Sequence, residues 1–168
     1  MPTPAYLSIT GETQGLITQG TFTEPSVGGI HQEGHPDQIL VQAFSHNVIR
    51  PRDPQSGQSS GQRVHQPMKI TKVFDKCSPL LYTALTTGEN LTCTIEWWRT
   101  AASGMQEHYY TIKLDKAMIV DIKGYMPNCQ DPGVAHFTHL EDVSFSYKDI
   151  SWTHEVSGTS GEDSWDDQ

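Results

Sequence analysis

Along most of the chain, apolar and polar residues alternate with a period of two, the pattern of strands with one face turned inward. The clearest case is Leu91, Cys93, Ile95 and Trp97, which alternate with Thr92, Thr94, Glu96 and Trp98. A second run begins near Glu107, carries Tyr110, Ile112 and Leu114, and continues past Lys116 into Ala117–Ile122. Gly104 lies between the two, so they are expected to form a hairpin. Val143, Phe145 and Tyr147 occupy one phase and Ile150, Trp152 and His154 the other, which predicts a bulge near Lys148–Asp149. Further strands are expected over Tyr6–Thr10, around Gly15–Gly20, over Gln38–Arg50 and over Met68–Phe74.

One segment departs from this pattern. Cys77-Ser78-Pro79-Leu80-Leu81-Tyr82-Thr83-Ala84-Leu85 reads as a short helix over about 78–87. Ser78 can accept first-turn amides, Pro79 fits a position that needs no N–H, and Gly88 is a stop. Leu80, Leu81, Ala84 and Leu85 share a face that should pack on the sheet. Residues 51–67 read Pro-Arg-Asp-Pro-Gln-Ser-Gly-Gln-Ser-Ser-Gly-Gln-Arg-Val-His-Gln-Pro and offer almost nothing to a core. A loop of this length is either functional or disordered. The predicted architecture is mainly β: an antiparallel barrel or two-sheet sandwich, one flanking helix and a long extended loop.

Composition adds limits. The 168 residues suit one domain, assigned here to 1–156, with 35% apolar and 18% charged residues. No eighteen apolar residues run together, so no helical segment is long enough to cross a bilayer, and membrane insertion is not expected. The N-terminus lacks the basic start and apolar run of a signal peptide, which places the chain in the cytoplasm unless a leaderless route exports it. A net charge of −9 argues against nucleic acid as a partner. Residues 157–168, with Glu162, Asp163, Asp166 and Asp167 among Gly and Ser, read as an acidic flexible tail. Three cysteines (Cys77, Cys93 and Cys129) fit a reduced chain better than a disulfide framework.

Candidate chemistry is thin. His31, Glu33 and His35 crowd five residues, but Glu33 stands one place too late for the zinc-helix motif, and Gly34 and Pro36 oppose a helix. Cys129, Asp131, His136 and His139 could form a nucleophile or metal cluster, yet no helix N-terminus lowers the thiol pKa. Phosphate-binding, dinucleotide and nucleophile-elbow motifs are absent. No cofactor, metal site or catalytic residue is assigned, and the chain is not read as an enzyme. Trp97 and Trp98 put an indole on each face of one strand, so one ring needs cover from the helix, a loop or another subunit.

Several motifs, in order and at consistent spacing, resemble the Hcp family of type VI secretion, in its enterobacterial form. They are Met1-Pro2-Thr3-Pro4-Ala5-Tyr6-Leu7-Ser8-Ile9 with Gly11, Asp53-Pro54-Gln55-Ser56-Gly57-Gln58, and Gly61-Gln62-Arg63-Val64-His65. Pro79-Leu80-Leu81-Tyr82-Thr83-Ala84-Leu85, Gln106-Glu107-His108 and Met126-Pro127-Asn128-Cys129-Gln130-Asp131-Pro132 follow. The resemblance covers essentially the whole chain and ends near Gly158–Gly161.

It implies a phage-tail-tube-like barrel that closes into homohexameric rings, stacks into a tube and is exported without a signal peptide. Small effector proteins in the lumen, and the sheath and spike of the machine, are the implied partners. Arg52, Asp53, Pro54, Gln55, Ser56, Gly57, Gln58, Gly61, Gln62, Arg63 and His65 are then expected to contact the next ring or subunit. Ala43, Ser45 and Asn47, a small polar face, are nominated for the lumen. Two other readings stand beside this one. One is a barrel module binding carbohydrate or a small ligand at Trp97 or Trp98; the other is a hydrolase using the His31/His35 or Cys129/His136 cluster.

Overall fold

The computed structural model describes residues 4–30, 34–134 and 138–165. The chain opens with β1 (Ala5–Gly11), a two-residue β2 (Gly15–Leu16) and a single helical turn, α1 (Glu24–Val27). Three short strands follow: β3 (Ile39–Val41), β4 (Ala43–Ser45) and β5 (Val48–Ile49). Beyond the long loop come β6 (Val64–His65), β7 (Met68–Val73) and the main helix α2 (Ser78–Thr87). Then β8 (Leu91–Thr100), the twenty-residue β9 (Gln106–Tyr125), β10 (Leu140–Ser146), β11 (Asp149–His154) and β12 (Thr159–Ser164) complete the described fold.

Every pairing is antiparallel, and the pairings close into a ring of strands. The order β1-β8-β9-β10-β7-β4 is closed because β3, continuous with β4, returns to pair with β1. Gln42, between β3 and β4, keeps its N–H on Thr71 O at 2.9 Å while the chain changes partner. Closure removes the open edges that a flat sheet would expose. Inward side chains from all the walls meet in one core, including Leu7, Ile9, Ile39, Ile70, Ile95, Leu114, Ile119, Val143 and Phe145.

The mostly-β architecture, the helix bounds and the β8–β9 hairpin agree with the alternation in the sequence. Four details of the strands differ. The strand expected around Gly15–Gly20 ends at Leu16, because the chain then turns to lay Phe22 over Tyr6 at a ring separation of 6.1 Å. Gln38–Arg50 is three strands rather than one, since it serves β1, β7 and the loop hairpin in turn. No bulge lies at Lys148–Asp149; β10 stops there and β11 starts, and both run along β9. The bulges sit instead within β9: at Tyr109 opposite Trp97/Trp98, at Lys116, which takes φ 50° opposite Thr92, and opposite Ser144/Phe145. That bend lets one strand serve both β8/β11 and β10.

The fourth difference concerns the C-terminal stretch. Residues 159–164, read above as part of a flexible tail, form β12 against β11, with Gly161 opposite Trp152. Asp166 and Asp167 lie outside the described residues.

At α2, Gly88 stops the helix in the left-handed region, donating to Ala84 O and Leu85 O. Leu81 and Ala84 are buried, whereas Leu80 faces outward, so the apolar stripe is narrower than expected. Ser78 does not cap the helix; Asp75 Oδ1 accepts the Cys77 N–H at 3.1 Å instead. Ser78 Oγ is directed to the buried Glu141, at 2.7 Å. Lys72, Asp75 and Glu141 thus form an ion cluster within the wall beneath the helix, Lys72 Nζ standing 3.1 Å from Asp75 and in contact with Glu141. Burial alone lowers the Lys72 pKa, but the Asp75 and Glu141 carboxylates beside it outweigh that and the net direction is upward, so the ammonium stays charged.

Candidate assembly surfaces

Two surfaces stand out from the barrel: a hairpin arm and the outer face of a four-stranded wall. The arm is the 51–67 segment, which is ordered by its own hydrogen bonds. β5 and β6 pair at its base, Val48 with His65 and Ile49 with Val64. Farther out, Arg52 bridges to Ser59, and Asp53 N–H donates to Gln58 O at 2.7 Å. At the tip, Asp53 Oδ1 accepts the Gln55 N–H at 2.9 Å and Oδ2 the Ser56 hydroxyl at 3.0 Å. Those bonds, the Gln55 amide first, hold the Asp53 carboxyl below its ordinary pKa. Pro54 begins the turn and Gly57 closes it at φ 74°, a conformation that suits glycine. Gly61 packs near Pro51, and Gln62 is exposed.

The nominated contact residues therefore divide. Arg52 to Gln62 project on the arm, while Arg63 and His65 turn back toward β12. Arg63 Nε and Nη2 each donate to Asp163 at 2.8 Å, a two-pronged ion pair. His65 Nε2 lies 2.6 Å from Asp163 Oδ2, and its Nδ1 lies 2.6 Å from the Tyr147 hydroxyl. His46 Nε2 meets the same hydroxyl at 2.8 Å. Arg63 and then His65 hold Asp163 well below the carboxylate range. Burial, and then the Asp163 charge, push Tyr147 upward. Burial, and then His65, lower His46. Sequence reasoning missed His46, Tyr147 and Asp163, which stand 82 to 101 residues from their partners or nearly so and carry no local motif.

The second surface is the outer face of β4, β7, β10 and the far half of β9. Register places Ala43, Thr71, Asp142 and Lys123 in one row, and Ser45, Lys69, Ser144 and Asp121 in the next. Small side chains thus alternate with charges of both signs, and Lys69 pairs with Asp142 at 3.5 Å. Thr71 Oγ1 also donates to Asp142, at 2.7 Å. The two rows carry two lysines and two aspartates, so this wall is neutral on a chain of net charge −9. Ala43 and Ser45 are exposed side by side here; Asn47 is exposed beyond β4, and its carbonyl accepts the Gln66 N–H at 3.0 Å.

The clusters weighed for chemistry are drawn elsewhere. His35 stacks on Tyr6 at 3.8 Å and meets Gln38 at 2.7 Å, and His31 and Glu33 lie outside the described residues. Cys129 is exposed, His139 rests beside Phe74 at 5.8 Å, and His136 is likewise outside. Burial pushes the Cys77 and Cys93 thiols far up. Among the described residues no group of three His, Cys, Asp or Glu could hold a metal ion. Trp98 is covered by His35 and His108, and Trp97 packs edge-on to Phe44 at 4.7 Å. A loop and neighbouring strands, rather than the helix, supply the cover.

Comparison with known proteins agrees with this architecture. Residues 6–154 match the family model described as type VI secretion system effector, Hcp. The Major exported protein of Pseudomonas aeruginosa is 70% identical over 166 residues, which span 98% of this chain and 96% of that one. A crystal structure of an Hcp protein superposes with TM-score 0.92 at 48% identity, covering 98% of both chains. The secreted protein Hcp3 from Pseudomonas aeruginosa gives 0.83 at 59% identity, over 98% of this chain and 99% of that one.

Proposed function

The chain belongs to the Hcp family of type VI secretion proteins, and on that premise we propose that it is a structural subunit of the secretion tube. Six copies close into a ring, rings stack, and the protein leaves the bacterial cytoplasm through its own machine, without a signal peptide. Small effector proteins travel in the lumen, and the sheath and spike are its further partners.

The observation that carries this reading is the neutral wall of β4, β7, β10 and β9. A surface lined by Ala43, Ser45, Thr71 and Ser144, with Lys and Asp in balance, lets a folded passenger sit without strong adhesion to any one side chain. A ligand-binding barrel would instead offer a concave apolar pocket with a few convergent polar groups. Here both indoles of Trp97 and Trp98 are engaged in packing. The arm, Arg52 to Gln62, projects as a polar hairpin and supplies the contact to the next ring.

Light scattering on the purified protein tests the ring. A particle six times the 18.7 kDa chain is expected, and a monomer at high concentration would remove the tube assignment. For the lumen, Ser45→Tyr should leave that ring mass unchanged while reducing effector co-purification. Full effector binding by that variant would place the lumen on another face.

A further inference from the structure

The base of the arm is fastened by a chain of side chains that nothing in a tube subunit's role demands. His46 comes from the link between β4 and β5, His65 and Arg63 from the returning half of the arm, Tyr147 from the end of β10, and Asp163 from β12. The Trp165 ring lies 5.8 Å from His65. Asp163 is the charged group bonded to His65, and Arg63 is the cation paired with that carboxylate.

The hydrogens can be assigned by counting. With both rings neutral, one direction of donation satisfies all three contacts. His46 Nε2–H donates to Tyr147 Oη, the Tyr147 O–H donates to His65 Nδ1, and His65 Nε2–H donates to Asp163 Oδ2. One added proton is tolerated: His65 Nδ1–H then donates to Tyr147, whose hydrogen turns to His46. A second proton is not. Both rings would donate to the same oxygen, its own hydrogen would have no acceptor in the chain, and two imidazolium charges would flank one atom. A cleft of about 30 Å³ bounded by His65, Gln66, Pro67, Ser146, Tyr147 and Trp165 has room for about one water, which gives protons a way in.

We infer that His46, Tyr147, His65, Asp163 and Arg63 form a proton-sensitive latch that holds the arm against β12 near neutral pH and releases it in mild acid. The sign follows from His46, which burial and then His65 lower. A released arm restores the ordinary imidazole value, so it binds more protons than the latched one. Release is therefore favoured as pH falls through about 6.5 and is absent above it. Asp163, held low by Arg63 and then by His65, remains ionised through that window. Its loss is not the trigger. If the arm joins rings as proposed above, stacking weakens over the same range.

The test is hydrogen exchange on the full-length protein, corrected for intrinsic rates. It reads the β5–β6 amides and the Gln66 N–H that bonds Asn47 O at 3.0 Å. Protection in the native sequence should fall about tenfold between about pH 7.5 and 5.5. His46→Gln keeps an N–H for Tyr147 but cannot titrate, so its protection should stay level. Tyr147→Phe should be poorly protected at both values. A native arm equally protected at both, or a His46→Gln variant that falls as the native chain does, overturns the latch. Tube pelleting over the same range separates the two claims. Arms that loosen while tubes hold would sustain the latch and refute the stacking role. Tubes that come apart while arms stay protected would refute the latch and place the acid-sensitive contact outside the arm.

Discussion

Lys72 places a full charge in the barrel wall with no solvent contact, and it is held there by Asp75, Glu141, Ser78 Oγ and its neighbour's carbonyl. Removing one member leaves the others charged and buried, which costs far more than the intact cluster contributes. Lys72→Met is expected to lower stability by about 3–5 kcal/mol in urea denaturation, and Glu141→Gln in that background to recover part of the loss. An unchanged midpoint for Lys72→Met would mean that solvent reaches the cluster. Gly11 is a second sensitive position, since a Cβ there would stand 1.9 Å from Glu89 Oε2. That carboxylate accepts the Thr13 and Gln14 amides at 3.2 and 3.0 Å and so fixes the turn after β1. Gly11→Ala should cost about 1–3 kcal/mol, read as a lower thermal midpoint. Lys72 drew no attention in the sequence, and Gly11 entered only as part of the N-terminal motif, with no steric role assigned. A lysine at a strand position reads as an outward side chain, and Ser78 read as a cap because its second partner lies 63 residues away.

Elements were legible where alternation is long and one face is dry. Leu91 to Trp97 and the Tyr110–Leu114 run gave β8 and the first half of β9, and Pro79 and Gly88 bounded α2. Alternation reports which face a residue takes but not which strand it pairs with, so Gln38–Arg50 read as one strand although it changes partner twice. β12 was invisible for a related reason. Thr159–Ser164 has no apolar residue to bury, and its pairing is specified by β11 alone. The shape of the candidate assembly surfaces was half legible. Composition marked the arm, and small residues marked Ala43 and Ser45, but the anchors on β10 and β12 have no local signature. Within α2 the narrow stripe is testable. Leu81→Ala should cost about 2–5 kcal/mol and Leu80→Ala under about 0.5, by chemical denaturation. Equal losses would mean that the helix is rotated from the orientation described.

For the whole molecule, charge sets the terms of assembly. With the wall neutral, the excess of −9 is carried by other surfaces, and a ring multiplies it by the number of subunits. In the proposed tube, stacked rings would repel and salt would relieve the repulsion, the screening length falling from about 30 Å at 0.01 M to about 10 Å at 0.1 M. Tube pelleting should therefore rise over that range while ring mass stays constant, because closure draws more on apolar contact. Pelleting indifferent to ionic strength would show that repulsion does not control stacking. The same fold also has an order in time. His65 and its carboxylate partner are 98 residues apart in the chain, about 5–20 s of synthesis at ordinary elongation rates. Throughout that interval the ribosome has made an arm whose carboxylate anchor does not yet exist. A nascent chain thus cannot hold its arm in the fastened position until β12 exists, which would confine the proposed ring-to-ring docking to chains that have been translated through that strand.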